Sequence, residues 1–411
     1  MSRVVFSCHE YFCNSPKRIR GTSITQTIKQ GPLSHIKVIE MAGLGPCPMC
    51  AMLLAELGAT VIRIDRKAPI DLGIKRPLEF DLLKRSRPSI GLDLKDPNAV
   101  AMVLDLIASA DAVIEGFRPG VMEKMGLGPE VCFERNPKLV FGRITGWGQT
   151  GPLSQDAGHD LNYIALTGVL NALGQRNGPP TIPLNLIGDF GGGALYLAMG
   201  VLAALMQSQV SGKGQVVDAA IVDGVSSLAT MFYGFKGANM WRPERGTNTI
   251  DSGSYFCNVY QCADDLWVTV SPVEGRFNQI MLEKLGLNLT ECGSQMDHTL
   301  WPAMKEKLQA IFKNKTRAQW CEIFEGSDSC FAPVLSFDEV GDHPHMKERQ
   351  TIIKVNGVEQ PAPAPRFSQT PLGMPTPPQP INAQNTWHAL EDWISPEQLA
   401  NYAQLGVIEK N

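Results

Sequence analysis

The chain carries no surplus of basic residues. Its 37 Lys and Arg stand against 41 Asp and Glu, a formal charge of −4, so the electrostatic footprint of a general nucleic-acid binder is missing. Cysteine is also scarce, ten in 411 residues, too sparse for a disulfide scaffold. The first fifteen residues include Arg3, Cys8, His9, Glu10 and Cys13 and hold no apolar stretch of the kind that opens a secretory signal. The longest uncharged apolar run, Phe190 to Gly212, opens with Gly191-Gly192-Gly193, nears its end with Gln207-Ser208-Gln209 and follows directly on Asp189. Those small and polar residues point to a buried helix and away from a membrane span. A charged fraction of 19% together with seven Trp excludes a disordered tail protein. At roughly 100–200 residues per domain, the length corresponds to about two or three domains.

Residues 1–32 are an N-terminal extension of different composition, with Arg3, Lys17, Arg18, Arg20 and Lys29 against the single acid Glu10. That bias fits an organellar presequence and equally an extension without a targeting role. The C-terminal Val407 to Asn411 is not a peroxisomal signal. The expected location is cytoplasmic, or mitochondrial if the extension is a presequence.

From His35 onward the pattern becomes regular. Ile36 to Glu40 alternates as a strand, Ala42 to Pro48 is a Gly/Pro loop, Cys50 to Leu57 has helical spacing up to Gly58, and Thr60 to Asp65 is a second strand. Strand, helix and strand recur at Ser89–Leu94, Val100–Ala110 and Ala112–Glu115, with a further strand at Leu139–Ile144. This alternation predicts an α/β fold, with a Rossmann-like large domain on a parallel sheet over residues 33–235. A smaller α+β domain is expected over 250–345, with strands at Phe256–Gln261 and Leu266–Val270 and helices at Phe277–Leu285, Thr299–Phe312 and Arg317–Phe324. Eight prolines between Gln360 and Pro380 mark an extended linker, and Thr386–Leu405 reads as a helical tail.

Gly43-Leu44-Gly45-Pro46-Cys47-Pro48 imitates a dinucleotide fingerprint, with Asp65 about twenty residues on. The third glycine is absent, and Pro46 and Pro48 remove two N–H donors that a diphosphate would use, so nicotinamide-dinucleotide binding is disfavoured. Cys47 and Cys50 have a CxxC spacing, but no second pair accompanies them, and packing is the expected role. His343-Pro344-His345 beside Asp342 lies in a Pro-interrupted loop that reads as a turn, and no metal site is expected. Arg63, Arg66, Lys75, Arg76, Lys84, Arg85 and Arg87 cluster around the second and third strands, and Phe117-Arg118 and Lys124 follow the fourth. Cations near strand ends of such a sheet suit a phosphate-rich ligand, and a solvated rim of paired charge would look the same.

Two segments carry the chemistry. Gly158-His159-Asp160-Leu161-Asn162-Tyr163 and Asn185-Leu186-Ile187-Gly188-Asp189-Phe190-Gly191-Gly192-Gly193 each lead into a helix. Ordinary capping explains Asp160 well. It does not explain three glycines beyond Asp189, which would let a thioester approach the backbone at a helix N-terminus.

These segments resemble the family III CoA-transferases. The resemblance runs from about Leu33 to Thr370. Its further landmarks are Leu54 to Ala59, Phe117 to Lys124, Gly146-Trp147-Gly148-Gln149, Arg245-Gly246-Thr247-Asn248, Trp320 to Phe324 and Gln360 to Phe367. In the racemases of that family a His and an Asp form a two-base pair, and the matching positions are His159 and Asp189. A Glu of the smaller domain also lines the racemase site, and Glu274 matches it. The family's transferases keep the aspartate as an acyl carrier and lack the histidine, so His159 favours a racemase of 2-methylacyl-CoA thioesters over a transferase. For CoA the resemblance implies Arg66, Arg85, Arg87, Phe117, Arg118 and Lys124, with Gly158, Asp160 and Tyr163 also counted among the ligand-binding residues. It implies no cofactor beyond the CoA of the substrate. It also implies an interlocked ring-shaped homodimer, each large domain being completed by residues 360–411.

Inverting a carbon next to a thioester needs a proton removed on one face and returned on the other, by groups that alternate as acid and base. Donors aimed at the thioester oxygen would stabilise the enolate, and N–H groups near Gly191 or Asp160 are candidates. Two departures from the family pattern stand out. Cys47 replaces a usual glycine, which alters the floor of the ligand site, and Gly275-Arg276 replaces a usual Pro-Gln. Arg276 would place a cation near the acyl group and make room for a polar or carboxylate tail.

Overall fold

The computed structural model describes residues 30–68 and 74–410; the N-terminal extension up to residue 29 lies outside the described residues. Six parallel strands form the main sheet: β1 (Lys37–Met41), β2 (Thr60–Arg66), β3 (Ser89–Leu92), β4 (Ala112–Glu115), β5 (Val140–Thr145) and β6 (Gln215–Ala220). Their order is β3-β2-β1-β4-β5-β6, so the chain reverses its direction of travel between β1 and β4. This is the Rossmann-like architecture the alternation predicts.

Period-two alternation sends neighbours to opposite faces of the sheet. Ile39, Ile62, Ile64 and Phe141 face one core with the helix Pro97–Ala108. Val38, Val61, Ile114 and Val140 face the other, with Cys47, Cys50 and Leu54 of the helix Pro46–Glu56 and Leu197 and Val201 of the helix Leu195–Ser211. The Pro46–Glu56 helix begins four residues before the expected Cys50. Pro46 and Pro48 occupy its first turn, where backbone N–H groups have no intrahelical partner and proline is harmless.

Leu186–Ser211 is long and apolar enough to cross a membrane by length and composition. In the fold it lies on the sheet, with Leu197, Val201 and Leu205 buried and Leu195, Met199, Met206 and Val210 exposed on the other side.

The smaller domain carries an antiparallel sheet of β7 (Asn258–Gln261), β8 (Trp267–Val270) and β9 (Phe331–Pro333). The helices Gly275–Lys284, Trp301–Phe312 and Arg317–Phe324 cover it. Its core is aromatic: Tyr260 stacks on Phe312 at 5.0 Å between centroids and Phe324 on Phe331 at 4.5 Å.

The chain then returns to the large domain. The expected linker begins inside a hairpin, β10 (Ile352–Val355) with β11 (Val358–Pro361), turned by Asn356 and Gly357 at positive φ. The expected single tail helix is two, Ala383–Leu390 and Pro396–Gln404, because Ser395 caps a new helix with Pro396 in its first turn. Leu390, Trp393, Tyr402 and Val407 complete the core that holds Ile39 and Phe141.

Candidate active site

The site lies at the carboxyl ends of the strands, where the strand order reverses, the usual position of a ligand crevice in an open α/β sheet. Two segments carry the candidate acid–base groups, His159 and Asp189.

His159 precedes the helix Asp160–Leu166 and has an extended backbone, φ −135° and ψ 175°. Its N–H donates to Asn162 Oδ1 at 3.0 Å, and its imidazole stands exposed. Tyr163 braces this turn. Its hydroxyl donates to the Gly158 carbonyl, and its ring meets Trp147 edge-on at 4.7 Å. Gly146 leaves room for that ring, since a Cβ there would stand 1.9 Å from Tyr163 Cε1.

Asp189 lies inside a π-helix, Leu186–Ala194, which continues as the α-helix Leu195–Ser211. Single turns of π-helix recur at functional sites because they displace one residue from the regular ladder. The Asp189 N–H donates to Asp160 Oδ2 at 2.6 Å, and the Asp160 carboxyl, raised by burial, is pulled back by the neighbouring backbone of Asp189 and Gly188. Asn185 Nδ2 donates to Asp189 Oδ2 at 3.2 Å.

Burial pushes the Asp189 carboxyl up from its ordinary value. The Asn185 bond pulls it back, the charge of Asp160 pushes it up, and that of His159 pulls it down. The Tyr163 hydroxyl is raised by burial and by Asp189, and lowered by Arg118. Asp189 thus feels the charges of Asp160 and His159, and Tyr163 those of Asp189 and Arg118.

Of the three glycines after Asp189, Gly192 and Gly193 serve packing more than ligand approach, contrary to the sequence expectation. A Cβ on Gly192 would stand 2.5 Å from Val225 Cγ2, and one on Gly193 3.2 Å from Pro46 Cβ. Gly188 is equally constrained, with a Cβ position 2.3 Å from Asp160 Oδ2. The π-helix is clamped by its neighbours.

The expected cation crest divides in two. Arg66 at the end of β2, Arg118 just after β4 and Lys124 at the end of the short helix Val121–Lys124 stand exposed. Arg85 and Arg87 do not present charge to the crevice, which corrects the expectation for both. Arg85 is buried against Glu56 at 2.5 Å and donates to Gln360 Oε1 and the Pro361 carbonyl. Arg87 is buried against Glu40 at 2.6 Å and donates to the Arg85 and Pro48 carbonyls. Phe117 is half-buried, its N–H donating to Glu115 Oε2 at 2.6 Å.

Asp160, expected to contact ligand, has its carboxylate buried under Asp189, with Oδ1 left without a partner. It is a positioning group. Glu274 occupies the N-cap position of the helix Gly275–Lys284 without a side-chain capping bond and is exposed. It helps raise the thiol of Cys330, which burial raises most, and no hydrogen bond or ion pair links it to His159 or Asp189. Arg276 lies over the ring of its neighbour Phe277 at 4.3 Å. Cys47 and Cys50 are buried, their thiols raised by burial, and Cys47 packs in the core under the loop. His343 and Pro344 start a short helix, Pro344–Glu348, where a turn was expected. Asn185 escapes the sequence reading, although its place four residues before Asp189 is the spacing that brings side chains together on one helical face.

Comparison with known proteins covers nearly the whole chain. The model of CoA-transferase family III matches residues 33–386. The alpha-methylacyl-CoA racemase of Homo sapiens is 39% identical over 381 residues, 92% of this chain and 98% of that protein. That of Mus musculus is 39% identical over 382 residues, with the same coverage. Among solved structures, a CAIB/BAIF family protein from Brucella suis superposes with a TM-score of 0.75 at 24% identity, over 88% of this chain and 99% of that one.

Proposed function

Since the chain belongs to CoA-transferase family III, we propose that it is a racemase that interconverts the (R) and (S) forms of 2-methylacyl-CoA thioesters. The observation that carries this reading is the 39% identity to alpha-methylacyl-CoA racemases over 92% of the chain, in a chain that holds both an exposed His159 and a half-buried Asp189. A transferase needs the aspartate alone. A two-base isomerase needs both groups.

In this reading His159 and Asp189 stand on opposite faces of the α-carbon. One takes the α-proton, an enolate forms, and the other returns a proton to the opposite face. The roles exchange for the other enantiomer. Burial of Asp189 favours this alternation, because a raised carboxyl holds a proton more readily than an exposed one. The Asp160 N–H, in the first turn of its helix and outside the intrahelical ladder, is the donor proposed for the thioester oxygen. Arg66, Arg118 and Lys124 are proposed to take the CoA phosphates. The reaction is proposed to need no cofactor beyond that CoA.

A homodimer is part of the proposal. The exposed apolar side chains Leu195, Met199, Met206 and Val210 offer a surface for a second copy, and the partner's Glu274 would then line the site. Light scattering on the purified protein tests this directly, and a monomer that racemises substrate would refute it.

The decisive assay uses one enantiomer of a 2-methylacyl-CoA in D₂O, with NMR for the α-proton and chiral analysis for the product. Deuterium entry with drift towards a racemic mixture is the expected result. Acyl transfer to an added free acid, without exchange, would instead assign a transferase with Asp189 as nucleophile.

A further inference from the structure

The crest of the sheet holds two clusters of buried charge that the proposed reaction leaves unused. Glu40, near the end of β1, is fully buried and pairs with two arginines, Arg63 through one carboxylate oxygen and Arg87 through the other, the latter at 2.6 Å. Glu115, at the end of β4, is fully buried too. It pairs with Arg143 at 2.8 Å, which reaches on to Glu123 at 2.7 Å. Because β1 and β4 flank the reversal of strand order, one cluster stands on each side of the crevice.

Burying such ions is expensive, and apolar replacements of similar volume are often neutral or stabilising. Stability is therefore a poor account of these clusters. Each does hold a loop of the crevice. Arg63 Nη2 donates to the Gly43 carbonyl at 3.5 Å and Arg87 Nη2 to the Pro48 carbonyl at 3.1 Å, one bond at each end of residues 43–48. Gly45, between those two bonds and just before the helix Pro46–Glu56, lies against the carboxylate of Asp189: a Cβ there would stand 2.9 Å from Asp189 Oδ2. On the other side, Glu115 Oε2 takes the Phe117 N–H at 2.6 Å, at the start of the segment that carries Arg118 and Lys124. The two loops touch, since a Cβ on Gly116 would stand 3.3 Å from Cys47 Cβ.

We propose that Glu40 and Glu115 are positioning residues with divided labour. Glu40, through Arg63 and Arg87, sets the wall against which Asp189 works, and Glu115 sets the Phe117 turn that receives the CoA. The inference rests on the proposed function for the role of Asp189, and the experiment separates the two.

Glu40→Gln and Glu115→Gln keep side-chain shape and remove charge. For each, kcat and KM are measured by deuterium exchange into a 2-methylacyl-CoA, and the Kd of free CoA by calorimetry. Glu40→Gln is expected to lower kcat by up to about 10²-fold, the penalty of a displacement of roughly 1 Å near the reacting atoms, while acting far less on CoA affinity. Glu115→Gln is expected to weaken CoA about tenfold, the worth of one charge-assisted hydrogen bond, while acting far less on kcat. Should either variant fail to fold, Arg87→Lys, which releases Pro48, and Glu115→Asp, which shortens the reach to Phe117, read the same split. Parallel changes in kcat and Kd, or a loss of thermal stability alone, would overturn the division of labour. A wild-type protein that binds CoA but exchanges no proton would overturn the racemase reading, while the Glu115 arm would still be read from the CoA Kd.

Discussion

The His159 and Asp189 segments look alike in sequence, each placing an acid at the start of a helix, yet they fold differently. His159 precedes a regular α-turn, tied by one bond to Asn162, and its side chain is exposed. Asp189 sits within a π-helix, its N–H held by Asp160 and its carboxylate by Asn185 and the wall at Gly45. The difference comes from packing. Gly188 and Gly192 approach Asp160 and Val225 more closely than any side chain would allow, and the widened turn lets them. One proposed base therefore stands in reach of solvent, and the other is half-buried in a packed wall. A two-base reaction gains from that asymmetry, because burial moves a carboxyl up towards the range where it can return a proton as well as take one.

The largest effects should come from removing either base. His159→Ala and Asp189→Asn are each expected to lower racemisation by about 10²–10⁴-fold. Each variant should keep deuterium exchange for one enantiomer only, the one whose proton the surviving base removes, and the two should keep opposite ones. Racemisation at the wild-type rate in either variant would break the pairing.

Asp160→Asn should come next. It removes a charge-assisted bond to the Asp189 N–H and is expected to cost about tenfold in kcat. The charge of Asp160 raises the Asp189 carboxyl, so its removal lowers that carboxyl. The acid limb of the pH–rate profile, for the enantiomer on which Asp189 acts as base, should then move to lower pH. Movement to higher pH would show that Asp160 does not set the proton affinity of Asp189.

Thermal unfolding tests the same contrast without activity. Asp189 is raised in the folded state, so its stabilising contribution is complete below the unfolded carboxylate value and is lost as pH rises through the folded one. Above the folded value the wild type carries the ionised, partly buried group. Asp189→Asn should accordingly raise Tm near pH 7, and the gain should vanish at about pH 4 and below. A Tm gain that persists in acid would assign the effect to packing instead.

Much of the scaffold is legible in the chain. Strands β1 to β5 are short apolar runs between glycines, prolines and acids, and such runs declare themselves. The strand β6, Gln215-Val216-Val217-Asp218-Ala219-Ala220, does not, because it is a half-exposed edge with neither alternation nor a continuous apolar run. The Asn356-Gly357 turn is a strong hairpin signal that the prolines beyond it obscure. His159, Asp189 and Glu274 are proposed as site residues by resemblance alone. What each touches is not legible in the chain, since their partners are set by tertiary packing. Arg85 and Arg87 show the limit most clearly. Their sequence neighbourhood is basic, but their carboxylates come from Glu56 and Glu40, 29 and 47 residues away, and that pairing turns expected ligand contacts into scaffold. A lone acid interrupting an apolar strand, as in Val38-Ile39-Glu40-Met41 or Val113-Ile114-Glu115, is the available sign of the buried clusters.

The smallest effects should separate two asparagines, one on each segment. Asn162 accepts from the backbone of His159, so Asn162→Ala removes one tether of a turn that Tyr163 still braces through Gly158. About 1 kcal/mol of stability or less is at stake, and the pH profile should keep its shape. Asn185 instead donates to the carboxylate of Asp189 and holds it down. Asn185→Ala should therefore raise that carboxyl and shift the acid limb to higher pH, opposite in sign to Asp160→Asn. If Asn162→Ala shifted the limb and Asn185→Ala did not, the exposed turn and not the buried π-helix would set the proton affinity of Asp189, and the roles of the two segments would have to be exchanged.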